Sequence, residues 1–131
     1  AIKYLRSLNY KIVIVTNQSG IARGSFSLKD LYKINRHIVD ELKKVGTKVD
    51  KIFFCPYHKD GIIKKYKKKS SLRKPDIGMF LKASKVWNID KQKSFMIGDQ
   101  ETDMEFAKKA GIKGFLYNKD NLYTFIKKKL N

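Results

Sequence analysis

The sequence predicts an α/β domain built on a parallel β-sheet, and three observations carry that expectation. Short runs of nearly continuous apolar residues recur along the chain, as expected of strands covered on both faces. Between them lie segments whose apolar residues return every three or four positions, the period of an amphipathic helix. Polar residues suited to an anion follow directly after the strands, which is where open parallel sheets bind ligands.

The elements follow in order. Ile2, Leu5 and Leu8 form a short helical stripe leading into a first strand, Ile12–Val15. Leu28, Leu31, Ile34, Ile38, Leu42 and Val45 then hold one face of a long helix. Ser27 is its expected N-cap, with Asp30 three residues on, and Gly46 marks its end. A second strand is expected at Ile52–Phe54, and a long loop leads from it to a helix from about Ile77 to Trp87. The third strand is Phe95–Ile97, and the helix after it covers Glu101–Ala110 and stops at Gly111. A fourth strand, Gly114–Tyr117, and a last helix from about Asn121 to Lys129 complete the series. No repeat or low-complexity linker interrupts it, so residues 1–131 are expected to form one domain.

Composition bounds the possibilities. The 131 residues are 42% hydrophobic, enough for a single core. No apolar run approaches the roughly 18–20 residues that span a bilayer. Lys3 and Arg6 lie in the opening segment, which lacks the apolar stretch of a secretory leader. No membrane partner is expected, and a cytoplasmic location agrees with a single cysteine, Cys55, which cannot form an internal disulfide. The charge is more unusual: 30 Lys and Arg against 12 Asp and Glu give a formal +18. Such a field attracts phosphates, nucleic acid or an anionic surface. The lysines are spread over nearly every segment, with local runs at Lys64–Lys69 and Lys127–Lys129. That spread favours solvated faces over a dedicated nucleic-acid groove. With one Trp, and Tyr and Phe at core-like spacings, no stacking platform for single strands is evident.

Three motifs follow the strands. The first is Thr16-Asn17-Gln18-Ser19-Gly20-Ile21-Ala22-Arg23-Gly24. A hydroxyl and two amides off a strand, followed by two glycines, suggest a concave donor surface in which Thr16 holds a phosphate oxygen. The second is Arg73-Lys74-Pro75, whose lysine offers a point charge and whose arginine offers a bidentate fork to a phosphoryl group. The third is Ile97-Gly98-Asp99-Gln100-Glu101-Thr102-Asp103. Asp99, at the strand's end, is placed as a Mg²⁺ carboxylate. Asp103 shares its face four residues on, with helix capping as the plainer reading of Glu101 and Asp103.

Taken together and in this order, the three motifs resemble those of haloacid dehalogenase (HAD) superfamily phosphatases, across essentially the whole chain. Val15 through Gly24, and Cys55-Pro56-Tyr57-His58 followed by Arg73-Lys74-Pro75, look specifically like the D-glycero-D-manno-heptose 1,7-bisphosphate phosphatases. The resemblance implies a three-layer Rossmann-like core with a parallel sheet and no large cap domain. It implies a Mg²⁺-dependent phosphomonoesterase that forms an aspartyl-phosphate and removes the 7-phosphate, in the sugar metabolism that feeds lipopolysaccharide. On this sequence Thr16 and Lys74 would stabilise the transferring phosphoryl group and Asp99 would ligate Mg²⁺. Asn17, Gln18, Ser19 and Arg73 would contact substrate, together with Gln100, where the heptose enzymes often carry lysine. The implied partner is a phosphorylated sugar and the implied state a monomer.

Two departures stand out. The family often has a small zinc site, but here Tyr57 occupies its histidine position and Ser70 and Leu72 its two cysteine positions. His58 restores at most one ligand, so zinc is expected to be lost and the loop from Cys55 to Leu72 to be held by packing alone. The second departure is that no Asp-x-Asp occurs in the 131 residues. In the family that motif carries the nucleophile, on a strand lying between those that end here at Thr16 and Asp99. The domain is therefore expected to lack its first, central strand and to be inactive as it stands. Competing readings are a histidinol-phosphate phosphatase, a polynucleotide 3′-phosphatase, and a catalytically dead relative that binds nucleic acid or another anion.

Overall fold

The computed structural model describes residues 1–131. Its elements run α1 (Ile2–Ser7), β1 (Val13–Asn17), α2 (Ser19–Ala22), α3 (Leu28–Lys44), β2 (Lys51–Cys55), α4 (Gly78–Val86), β3 (Phe95–Gly98), α5 (Glu101–Ala110), β4 (Lys113–Leu116) and α6 (Leu122–Leu130). A single 3₁₀ turn, Lys64–Tyr66, interrupts the long loop after β2.

Where local chemistry is decisive the expected boundaries recur. Ser27 caps α3 through a reciprocal box, its hydroxyl accepting Asp30 N–H at 3.1 Å while Asp30 accepts Ser27 N–H at 3.0 Å. Helix α5 ends at Gly111, whose φ of +77° is the left-handed conformation that closes a helix without a Cβ penalty. Asn121 caps α6 through Thr124 N–H at 3.1 Å.

The strands pair in parallel, but as two ribbons rather than one sheet. β1 pairs with β2, Val13 opposite Lys51 through Asn17 opposite Cys55, and β3 pairs with β4, Phe95 opposite Lys113 through Gly98 opposite Leu116. Side chains alternate across them. Met96 faces a core formed with Phe80, Phe106, Ala107 and Ala110, from α4 and α5. Phe95 and Ile97 face the opposite core of Leu5, Phe125 and Ile126, from α1 and α6. The other ribbon meets the same two layers, since Val15 packs on the first core and Ile12, just before β1, on the second. The result is three layers, helices on both faces of a parallel strand layer, as expected.

Between the ribbons lies a groove of about 650 Å³, lined by Val13–Thr16 on one side and Phe95–Gly98 on the other. The expectation of strands covered throughout fails here. Only Cys55 and Met96 among the strand residues are fully buried, because the helices cover the faces while the groove leaves two strand edges open. The stripe on α3 is also less buried than its period suggests: Leu31 is buried, whereas Ile34 and Val45 are more than half exposed.

Candidate functional site

The three motifs converge at the carboxyl end of the groove, which is lined there by Thr16, Lys74, Asp99 and Asp103. Lys74 is the centre of the arrangement. Its ammonium donates to Asp103 Oδ1 at 2.7 Å and to the Val15 carbonyl at 3.1 Å, on the edge of β1 that faces the groove. Both partners of the ion pair are nearly enclosed, with side-chain exposures of 12% and 6%. An ammonium held this way is fixed in position, so it offers its third N–H to an incoming anion with little rearrangement.

Asn17 explains how Lys74 reaches that place. Its side-chain oxygen accepts Lys74 N–H at 2.9 Å and its amide donates to the Lys74 carbonyl at 3.2 Å. The amide imitates a strand partner and ties the loop before α4 to the end of β1. Asn17 was expected to contact substrate; both of its polar groups are instead used on the Lys74 backbone. Gln18 likewise turns inward, donating from Nε2 to Thr16 Oγ1 at 3.1 Å, which orients that hydroxyl at the end of the strand.

The glycines after Gln18 differ from expectation as well. Ser19–Ala22 is a helical turn, not an open loop of donors. Gly20 is needed because a Cβ would fall on the ring of Phe26, and Gly24, at φ +77°, faces Ile62 and Ile63. Gly20 thus serves close packing, and Gly24 a left-handed backbone. Ser19 opens the turn, and Gln100 lies exposed at the start of α5 with its N–H on Asp103 Oδ2 at 3.2 Å. Neither lines the groove.

Asp103 is the functional residue that sequence reasoning undervalued. It caps α5, as the plainer reading holds, and the same carboxylate also neutralises Lys74. Gly98 allows this, since a Cβ at that position would collide with the Asp103 carboxylate. The one signal in the sequence is the spacing Asp99–Asp103, although Asp99 precedes the Gln100 cap and so lies outside the helical face it suggests. Asp99 itself is exposed at the groove's mouth. Mg²⁺ is commonly bound by one or two carboxylates with water and substrate phosphate, so Asp99 beside an engaged Asp103 fits such an ion.

The loop from Cys55 to Leu72 is fixed by more than packing, which corrects the expectation. The Cys55 thiol is buried and donates to the Tyr57 carbonyl at 3.7 Å, and burial pushes its pKa up. Tyr57 lies between the Tyr66 ring, with centroids 6.1 Å apart, and the Lys68 ammonium, 4.3 Å from its centroid. His58 N–H donates to the Tyr66 carbonyl at 3.1 Å, and Ser70 Oγ accepts Leu72 N–H at 3.1 Å. Arg73 lines a second cavity beside this loop rather than the groove.

Comparison with known proteins places this geometry. Residues 71–122, which include Lys74, Asp99 and Asp103, match the family model described as HAD-hydrolase-like. The chain is 42% identical over 130 residues to D-glycero-β-D-manno-heptose-1,7-bisphosphate 7-phosphatase of Rhodopseudomonas palustris, covering 99% of this chain and 72% of that protein. It is 39% identical over 111 residues to the α-anomer 7-phosphatase of Photorhabdus laumondii, covering 85% of this chain but 61% of that protein. Among solved structures, a HAD-like phosphatase from Mesorhizobium loti superposes with a TM-score of 0.83 at 34% identity, covering 91% of this chain and 57% of that one. The D,D-heptose 1,7-bisphosphate phosphatase from B. bronchiseptica, complexed with magnesium and phosphate, gives 0.79 at 29% identity, covering 97% and 67%.

Proposed function

The chain belongs to the HAD-like phosphatase family, and on that premise we propose that it forms the phosphate-holding part of a Mg²⁺-dependent phosphomonoesterase acting on the 7-phosphate of a D-glycero-D-manno-heptose bisphosphate. One observation carries the reading: the enclosed Lys74–Asp103 pair, pinned to the Val15 carbonyl at the head of the groove with Thr16 and Asp99 beside it. A binding module has no need of a lysine so precisely neutralised next to a free carboxylate.

Lys74 and Thr16 hold the oxygens of the transferring phosphoryl group and compensate its charge. Asp99 holds Mg²⁺, which when bound draws off negative charge from the same oxygens and lowers repulsion towards an anionic nucleophile. Asn17 and Gln18 act by positioning Lys74 and Thr16. Arg73 contacts the substrate away from the groove, and Ser19 and Gln100 contact its sugar from the rim.

The groove takes a further strand of the same protein, parallel to β1 and β3, bearing the nucleophilic aspartate. Support comes from the two open strand edges and the apolar side chains facing them from both ribbons. The aspartate attacks phosphorus and the sugar oxygen leaves with a proton from a neighbouring acid. Water then hydrolyses the acyl phosphate. The protein works as a monomer in the cytoplasm, and the Cys55–Leu72 loop carries no zinc, its would-be ligand positions being engaged as described.

The test is phosphate release from the heptose bisphosphate by the protein at its full natural length. One equivalent per substrate, dependent on Mg²⁺, is expected, with none from residues 1–131 alone. Absence of release, together with DNA binding that weakens steeply with salt, would instead favour a basic binding module, the reading that the +18 charge supports.

A further inference from the structure

Ile62 is the most exposed large apolar residue in the protein, at 76%, and Ile63 beside it is 39% exposed. Single apolar residues are ordinary on a surface. Two in succession, held fixed at one point, call for a physical account.

The backbone does the fixing. Ile62 N–H and Ile63 N–H both donate to the Ala22 carbonyl, at 2.7 and 2.9 Å. Gly61 makes this approach possible, because a Cβ there would lie 2.7 Å from the Ala22 Cβ and 2.8 Å from its carbonyl oxygen. The loop also closes on itself. His58 N–H donates to the Tyr66 carbonyl at 3.1 Å, Tyr66 N–H donates to the Ile63 carbonyl at 2.9 Å, and His58 bridges to Lys67. Residues 58–67 thus form a compact loop with joined ends, and the isoleucines stand at its tip.

Cations surround that tip. Lys64 and Lys65 follow Ile63 in the 3₁₀ turn, Lys67 closes the loop, and Arg23 precedes Gly24, which the isoleucines face. All four are exposed and none is in an ion pair. Asp60 is the one acid between Asp50 and Asp76. Neither isoleucine lines the groove or the cavity beside Arg73, so the phosphate-holding residues leave this surface unused.

We propose that the tip docks on an anionic lipid bilayer, with Ile62 entering the boundary between headgroups and acyl chains and Arg23, Lys64, Lys65 and Lys67 lying among the headgroups. The chemistry selects this occupant. A second copy of the chain would bring another +18 field and a like-charged tip. A stable protein partner needs about 1,000 Å² of buried surface or more, of which two isoleucines offer a small part. A bilayer asks only for an apolar point within a basic surround. No helix is long and apolar enough to cross a membrane, and docking at a surface does not call for one. The inference stands apart from the phosphatase reading.

Cosedimentation of the full-length protein with vesicles tests it. Phosphatidylcholine alone is compared with phosphatidylcholine containing about one-third phosphatidylglycerol, at about 0.1 M salt. Binding to the anionic vesicles is expected to be tighter by about tenfold or more. Ile62→Ser, a change at an exposed side chain, should weaken it at least about threefold with the melting temperature unchanged. Lys64→Gln combined with Lys65→Gln should weaken it about tenfold or more, since each lysine near such a surface contributes about fivefold. Lys127→Gln combined with Lys128→Gln, equal in charge but on α6, should cost less than about threefold. In Ile62→Trp the emission should move to the blue on anionic vesicles, unlike that of the wild type with Trp87 alone. Equal binding to both vesicles, an Ile62→Ser protein that binds as wild type does, or α6 changes as costly as those at the tip would overturn the proposal. So would displacement by inorganic phosphate beyond that by chloride at equal ionic strength, which would mark a site for a free anion.

Discussion

Replacing Lys74 with methionine separates what the lysine does for the fold from what it does for chemistry. Methionine keeps the length of the side chain, so no large cavity is added, but it removes the charge from beside Asp103. At 2.7 Å the pair attracts with about 6 kcal/mol for an effective dielectric near 20, much of it offset by the desolvation of both groups. What the single variant exposes is therefore the uncompensated carboxylate. With Asp103 at 6% side-chain exposure, a loss of about 3–5 kcal/mol is expected. For a domain of this size that lowers the melting temperature by roughly 10–20 °C. A double variant, Lys74→Met with Asp103→Leu, removes both charges. It should regain at least about 2 kcal/mol over the single variant, even though Asp103 also accepts Gln100 N–H at 3.2 Å. Activity should not follow stability. Loss of one preorganised donor to the phosphoryl group costs about 10²–10³ in rate, and both variants of the full-length protein should show it. Urea unfolding and phosphate release, measured on the same samples, check the two halves. A Lys74→Met protein as stable as wild type, or a double variant that recovers turnover along with stability, would refute the reasoning.

Other expectations are more local. Gly98→Ala places a Cβ on the Asp103 carboxylate and should cost about 1–3 kcal/mol, seen in urea unfolding, with reduced turnover because Lys74 loses its fixed position. Asp50 accepts Ile12 N–H at 2.7 Å and Arg6 at 2.6 Å. Burial raises its pKa, but these two bonds outweigh that and hold it below 3.8. Its contribution is therefore complete above pH about 4 and is lost as pH falls through the lowered value. Asp50→Asn should destabilise the protein by about 1–2 kcal/mol at pH 7, and the difference from wild type should shrink towards pH 2. Equal destabilisation at both pH values would contradict the assignment. His58 should titrate below 6.5 by NMR, through burial first and then Arg73 and Arg23. A ring titrating at or above 6.5 would contradict that environment.

Much of the site could be read from sequence because its parts are local signals. Thr16, Lys74 and Asp99 each follow an apolar strand or precede a helix, and these positions alone bring them to one end of a parallel layer. The helix limits at Ser27, Gly111 and Asn121 depend on capping within a few residues, and they recur in the structure. Burial along α3 could not be read this way, since a period of 3.6 tells which residues share a face but not how much of that face is covered.

What the sequence by itself determined, then, was the α/β class, the order of elements and the three motifs, all written in short-range patterns. Only the tertiary structure decided what Asn17 and Asp103 do. Asn17 meets the Lys74 backbone across 57 positions, and Asp103 meets the Lys74 ammonium across 29. It likewise decided that the strands stand as two ribbons across a groove, and that Arg73 lines a separate cavity from Thr16 and Asp99. The physical reason is common to all of these. Such contacts depend on which side chains meet once distant segments pack, and no periodicity within a segment encodes a partner in another.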